Sequence, residues 1–178
     1  EKAGMGQQSK FQVADAMNMP FEDSKFDLVW SMESGEHMPD KKRFLQELQR
    51  VAKKKHGKMI VVTWCHRNLA PGEKLKPLER ILFRWINNIY QLPPWVSIED
   101  YTKIANDIGW QNIKVADWTD QVKPFWPAVL LSSLSWKGIK ECIRNRTVRE
   151  GAFAIVLMMM GYSIGLIRFG IITGSAKE

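Results

Sequence analysis

Apolar positions along the chain fall into five short runs, separated by longer segments in which they recur every three or four residues. The runs are Phe11-Gln-Val-Ala14, Phe26-Asp-Leu-Val-Trp30, Lys58-Met-Ile-Val-Val-Thr-Trp64, Asn112-Ile-Lys-Val-Ala116 and Leu166 to Thr173. They are β-branched or aromatic and several lack clean alternation, which is how strands buried on both faces of a parallel sheet read. Between them the spacing predicts helices over Asp40–Lys54 and Glu73–Tyr90, the latter broken by Pro77 and stopped by Pro93-Pro94. Ser97-Ile-Glu-Asp100 resembles a capping box and opens a third helix that ends at Gly109. A fourth runs from Pro127 through Trp136 toward Arg146, and a fifth covers Arg149–Tyr162. Strand and helix therefore alternate, the order of an α/β sandwich. The most apolar stretch, Ala152 to Ile167, is shorter than the roughly 20 residues a spanning helix needs and reads as a buried helix followed by a buried strand. Docking of this stretch on lipid is the minority alternative.

Composition narrows the class. The 178 residues are 45% apolar and 11% aromatic, which excludes a disordered chain and supports one core. Cys65 and Cys142 cannot build a disulfide scaffold. The net charge of +7 could steer the chain toward nucleic acid or an anionic membrane. Much of the excess lies in Lys41-Lys42-Arg43 and Arg50 to Lys58, beside Phe44, Leu45, Leu48 and Val51 on one helical face. That pattern reads as the solvated outer side of a core-packed helix. Without zinc-finger spacing or an RNP motif, nucleic acid is not an expected partner, while peripheral membrane contact stays open.

Few residues offer chemistry. Gly4-Met5-Gly6 does not complete a dinucleotide fingerprint and reads as a turn. The three histidines have no metal-ligand spacing. Asp15, in Val13-Ala-Asp-Ala16, follows a strand, where open α/β sheets bind ligands, and its carboxylate could accept from a nucleoside or simply close a turn. The densest segment is Trp30-Ser-Met-Glu33-Ser-Gly-Glu36-His37-Met-Pro-Asp40. Glu33 and His37 are spaced i, i+4, so a helical turn would bring a carboxylate beside a histidine able to take a proton near neutral pH. The rival reading is a loop whose side chains bond their own backbone. Trp85, Trp95, Trp110, Trp118, Trp126 and Trp136 suggest packing, with a subset free to line an aromatic pocket.

Taken together, Val13-Ala-Asp-Ala16, Pro20-Phe21, Phe26 to Asp40 and Val62-Thr-Trp-Cys-His-Arg67 resemble the second half of a class I S-adenosylmethionine-dependent methyltransferase. The likeness is to the γ-tocopherol methyltransferase family, including its alkaloid N-methyltransferase relatives. Ala116-Asp-Trp118, Pro124-Phe-Trp-Pro127, Trp136-Lys-Gly138 and Phe169-Gly-Ile-Ile-Thr173 extend it over nearly the whole chain. The resemblance implies a Rossmann-like sheet ordered 3-2-1-4-5-7-6, with the five runs as strands 3 to 7 and the seventh antiparallel. Residues 75–95 and 124–163 would be helical cap insertions. It implies S-adenosyl-L-methionine as cofactor, with Asp15 and the Ala16 backbone at the adenine and Ser31 beside the methionine end. Glu33 and His37 would flank the acceptor. The implied acceptor is a small aromatic molecule, a tocopherol methylated on a ring carbon, with N-methylation of an indole alkaloid as the alternative. A plastid location follows from the same likeness, against a vacuolar membrane or the cytoplasm. The first two strands and their glycine-rich loop have no counterpart in this sequence. Residues 1–178 are therefore expected to be the C-terminal portion of one methyltransferase domain, with the Phe11–Ala14 strand detached and an edge exposed on Phe26–Trp30. The rival expectation is a truncated, non-catalytic partner that forms a homodimer through its helical cap.

Overall fold

The computed structural model describes residues 9–133 and 135–177. In chain order its elements are β1 (Leu28–Met32), a 3-10 turn (Gly35–His37), α1 (Lys41–Val51), β2 (Lys58–His66), α2 (Pro77–Tyr90) and α3 (Ile98–Asp107). There follow β3 (Gln111–Asp117), α4 (Thr119–Val122), α5 (Phe125–Ser133), α6 (Trp136–Arg144), α7 (Arg146–Ser163) and β4 (Ile167–Ser175). The strands make a single sheet in the order β1-β2-β4-β3. β1 and β2 run parallel, and β4 is antiparallel to both its neighbours.

Alternate residues of β2 serve the two sides of this sheet. Met59, Val61 and Cys65 pack with Phe44, Leu45 and Leu48 of α1 and with Tyr101 and Ala105 of α3. On the other side Trp64 meets Phe83 and Ile86 of α2, Trp126 of α5, and Leu157, Met158 and Tyr162 of α7. A Cβ on Gly161 would lie 2.4 Å from Ile167 Cδ1, so this glycine lets the last turns of α7 press onto the start of β4. Helices on both faces of the sheet, the antiparallel last strand and the reciprocal Ser97–Asp100 capping box all match the sequence reading.

The departures have local causes. No strand forms over Phe11–Ala14. Phe11 and Val13 are 99% and 102% exposed, because that segment has no neighbouring ladder to bond its backbone or cover its side chains. β1 begins two residues after Phe26, which instead bridges to Ala52 beyond the end of α1. Pro77 opens α2 rather than breaking a longer helix, since its missing N–H costs nothing at a first turn. The expected fourth helix is two: Ser135 accepts from Gly138 N and starts α6 afresh, and Asn145 caps α7 in the same way. α7 is only partly the buried helix anticipated, because Phe153, Val156 and Met160 face out. The turn expected at Gly4–Gly6 lies outside the described residues.

The two sheet edges differ. β3 is mostly exposed and carries Gln111, Asn112, Lys114 and Asp117, the polar dress of a strand meant to stay at an edge. β1 is Leu-Val-Trp-Ser-Met, with Leu28, Trp30 and Met32 about half exposed.

Candidate functional site

The carboxyl ends of the parallel strands β1 and β2 converge on the loop that leads into α1, the place where open α/β sheets present ligand-binding groups. Ser31 is buried in β1 and its hydroxyl lies 2.6 Å from that of Ser34. Glu33 takes a left-handed backbone (φ 48°) while its N–H still donates to Val62 O at 2.8 Å. The chain then makes one 3-10 turn and Asp40 caps α1, accepting from Arg43 N. A Cβ on Gly35 would stand 3.0 Å from Thr63 Oγ1 and 3.1 Å from Tyr101 Oη, so the loop lies directly on β2 and α3.

Two charged residues beneath the loop fix it. The Glu36 side chain is buried, and Thr63 Oγ1 donates to its Oε2 at 2.6 Å. Lys41, also buried, donates from Nζ to the carbonyls of Met38 (2.7 Å), Gly35 (2.9 Å) and Glu36 (3.0 Å). Burial pushes the Lys41 ammonium down to about 8, against the upward pull of the Glu36 charge. The Glu33 carboxyl is held above its ordinary range, first by burial and then by Glu36.

The anticipated pairing of Glu33 with His37 does not form. The left-handed residue at Glu33 and the tight turn starting at Gly35 replace the α-helical turn that would have aligned them, and among the described residues no ion pair joins the two. His37 is exposed at the end of the 3-10 turn. Asp15 closes a turn, its Oδ1 accepting from Met17 N at 2.8 Å and its carbonyl from Asn18 N at 3.0 Å. Its carboxylate remains exposed and Ala16 is half buried.

Nor is the polar side of α1 merely solvated. Arg43 Nε donates to Met17 O, Glu47 Oε1 accepts from Met19 N, and Arg50 donates to Met19 O, Phe21 O and the Asp23 carboxylate. These bonds pin the Asp15 turn and the segment after it to α1.

An aromatic wall stands at the carboxyl end of β2. Trp64 stacks on Trp95 at 5.9 Å and meets Tyr90 and Trp126 at 5.7 Å, and Trp126 reaches Tyr162 of α7 at 6.1 Å. Trp126 Nε1 and the Tyr162 hydroxyl are enclosed without a well-formed hydrogen bond to a described residue. The Tyr162 phenol is pushed up mainly by burial, and the charge of Glu33 adds to the shift, so α7 brings this wall within electrostatic reach of the loop.

Sequence reasoning missed Lys41, Glu36, Thr63 and Tyr101. One signal was present: three cations, Lys41-Lys42-Arg43, open a helix at its positive end, an unfavourable place unless one of them is spent elsewhere.

The topology β1-β2-β4-β3, with an antiparallel fourth strand and helices on both faces, is that of the class I methyltransferases. Haemonchus contortus phosphoethanolamine N-methyltransferase 2, solved with phosphomonomethylethanolamine and S-adenosylhomocysteine, superposes with a TM-score of 0.74 at 16% identity. The match covers 92% of this chain and 36% of that one. A family model described as a methyltransferase domain matches residues 1–61. The probable tocopherol O-methyltransferase, chloroplastic, of rice (Oryza sativa subsp. japonica) is 52% identical over 98% of this chain and 49% of its own length. The Arabidopsis thaliana tocopherol O-methyltransferase, chloroplastic, is 50% identical over 95% and 49%. Norajmaline N-methyltransferase of Rauvolfia serpentina is 32% identical over 96% and 59%. Over nearly its whole length the chain is thus similar to methyltransferases of the tocopherol methyltransferase family. It spans about half the length of the tocopherol relatives it matches.

Proposed function

We propose that this chain takes part in methyl transfer from S-adenosylmethionine to the phenolic ring of a tocopherol, within a methyltransferase sheet that continues past β1. The identity of 52% and 50% with the two plant tocopherol O-methyltransferases, against 32% with the alkaloid enzyme, carries the reading. Their chloroplastic labels support a plastid location.

The residues present fit part of a cofactor site. Asp15 offers a carboxylate with one oxygen not committed to its turn, suited to an adenine amino or ribose hydroxyl group, and the Ala16 backbone lies beside it. Ser31 would stand at the methionine end. Bound there, S-adenosylmethionine supplies an electrophilic methyl group. The apolar edge of β1, unpaired among the described residues, supports a cradle completed by strands alongside it, with residues 1–178 as the C-terminal portion of the domain and 75–95 and 124–163 as its cap.

His37 is the candidate base. Its exposed imidazole can take the phenolic proton of the acceptor on a ring nitrogen, and Glu33, partly withdrawn from water, can orient the acceptor hydroxyl. Loss of that proton raises electron density both on the oxygen and on the neighbouring ring carbon. The relatives are named for the oxygen; attack from the carbon, followed by loss of that carbon's own hydrogen as a proton and return of a proton to the oxygen, leaves a free phenol in the product.

Labelled cofactor offered with γ-tocopherol and with an indole alkaloid amine, to a polypeptide in which the β1 edge is paired, tests this reading. We expect a methylated tocopherol that retains its phenol, and a fall in turnover of about a hundredfold or more for His37→Ala with cofactor affinity unchanged. Wild-type turnover in that variant removes His37 from the mechanism, and methylation of the amine alone moves the substrate to the alkaloid class. Calorimetry on the 178-residue chain by itself should detect no micromolar cofactor binding. Micromolar binding overturns the completed cradle.

A further inference from the structure

We infer that the pocket between α2 and the carboxyl end of β2 is a second ligand site, one that takes an oxyanion carried on a flat apolar ring. The pocket has a volume of about 360 Å³, room for a small aromatic molecule. None of its described lining residues belongs to the loop of Glu33 and His37.

Its charge asks for an anion. Arg80 and Arg84 stand one turn apart on α2, and both line the pocket. Like charges at that spacing repel one another. Arg43, Arg50, Arg67, Arg146, Arg149 and Arg168 each reach a carbonyl or a carboxylate with the guanidinium. Among the described residues Arg80, Arg84 and Arg144 have no such partner, and two of these three meet in this pocket. No Asp or Glu is found among its described lining residues. The carboxylates of the same stretch, Glu73 and Glu79, are both held by Arg67, at 2.6 and 3.0 Å.

The other polar groups are already oriented. Trp95 Nε1, which can only donate, holds Asn87 Oδ1 at 2.7 Å, so the NH2 group of the Asn87 amide is left free to donate. His66, the last residue of β2, is only 7% exposed and lines the pocket. A carbonyl can only accept, so the 2.6 Å contact between Nδ1 and Arg67 O puts the ring proton on Nδ1. Nε2 is left without a partner among the described residues, free to take up a proton and donate it to a ligand oxygen. Two unclaimed guanidinium groups, an amide donor and a buried imidazole nitrogen form a set that an oxyanion completes.

The apolar face comes from Phe83 and Trp95, whose ring centroids are 4.8 Å apart. Trp95 also stacks on Trp64, so an occupant pressing on Trp95 bears on the aromatic wall. Charge and ring together name the class: an aromatic carboxylate or an aromatic phosphate. This inference stands independently of the methyl-transfer reading.

The chain has three histidines, so imidazole proton signals in NMR can report the site directly. Titration of the 178-residue chain with phenyl phosphate and with benzoate should move the His66 signal, assigned by its loss in His66→Asn, and leave those of His37 and His56 in place. Calorimetry should show saturable binding, and the tighter of the two ligands fixes the head group as phosphate or carboxylate. Phenol and inorganic phosphate each carry half of the recognised structure and should bind at least about tenfold more weakly. Arg80→Gln/Arg84→Gln should weaken binding about tenfold or more, and His66→Asn about threefold. Arg144→Gln removes an equally free cation from α6 and should change nothing. Because Arg80 and Arg84 are exposed, circular dichroism of their double variant should keep the wild-type trace, and that variant decides the matter if His66→Asn disturbs the fold. The proposal is overturned by the absence of saturable binding of either anion, by a shift at His37 instead of His66, or by equal losses in Arg80→Gln/Arg84→Gln and Arg144→Gln. Binding of phenol or of inorganic phosphate as tight as that of the aromatic anions also sinks it. None of these measurements involves cofactor or methyl transfer, so a failure of the enzymatic reading leaves their outcome standing.

Discussion

At Lys41 a cation sits at the positive end of a helix, away from water, and is stable there because three loop carbonyls surround it. Removing the ammonium while keeping the stem, as in Lys41→Met, strands those acceptors. We expect a loss of about 2–4 kcal/mol by urea denaturation. The pH dependence has a definite sign. The folded ammonium titrates at about 8, whereas a lysine in the unfolded chain titrates at about 10.4, so between those values the unfolded chain holds the extra proton. Stability from this group therefore rises with pH across that window and is flat below it. The difference between wild type and Lys41→Met should widen from about pH 8 to about pH 10; a constant or shrinking gap would mean that the ammonium is not desolvated. Nothing in the Lys-Lys-Arg run separates this lysine from its neighbours, because all three satisfy a solvated-face pattern and only the fold of the preceding loop decides which is enclosed. Asp15, by contrast, was legible as a turn residue, since the bond to the N–H two positions on is local.

Among the elements, those defined by local chemistry were legible. Ser97 and Asp100 announce α3, and the apolar face of α1 is visible in Phe44, Leu45, Leu48 and Val51. What was not legible depends on distant partners. The register of β1 follows from pairing Leu28 with Lys58, and the polar face of α1 depends on a segment some 30 residues earlier. Arg50 is the hub of that attachment, with a backbone carbonyl at each of Met19 and Phe21 and ion pairs to Glu47 and Asp23. Arg50→Ala should free residues 17–23 from α1 while the helix itself persists. Amide exchange at Met19, whose N–H donates to Glu47, should rise by about tenfold or more, and protease should cut this segment first. Unchanged protection at Met19 would place the attachment in the apolar contacts of Met17 and Met19 instead.

Across the whole molecule the asymmetry of the sheet governs behaviour in solution. β3 carries its own protection as an edge, while β1 offers a ladder unpaired among the described residues, beneath Leu28, Trp30 and Met32. Exposed, apolar edges recruit further strands. Light scattering should therefore report concentration-dependent association of the 178-residue chain, and Trp30→Lys should suppress it by placing a charge on the sticking surface. Association that survives Trp30→Lys belongs to another surface, the cap helices being the alternative. This edge was anticipated from the family resemblance, whose first two strands have no counterpart in the sequence; the bare cap face was not, because apolar residues at helical spacing look the same whether or not anything covers them.

The placement of β4 has a consequence in time. It is the latest strand in the chain, yet it lies inside the sheet and holds β3 to β2, with the Lys58 ammonium bonded to the Ser175 hydroxyl across 117 positions. A nascent polypeptide carrying β1, β2 and β3 has α1 to α7 but no means of joining β3 to β2, and at roughly 5–20 residues per second it waits in that state until β4 emerges. Closure of the sheet thus waits for β4, governed by slow long-range pairing, and the interval before it is when β2, with its ladder to β4 still to be filled, most needs a chaperone.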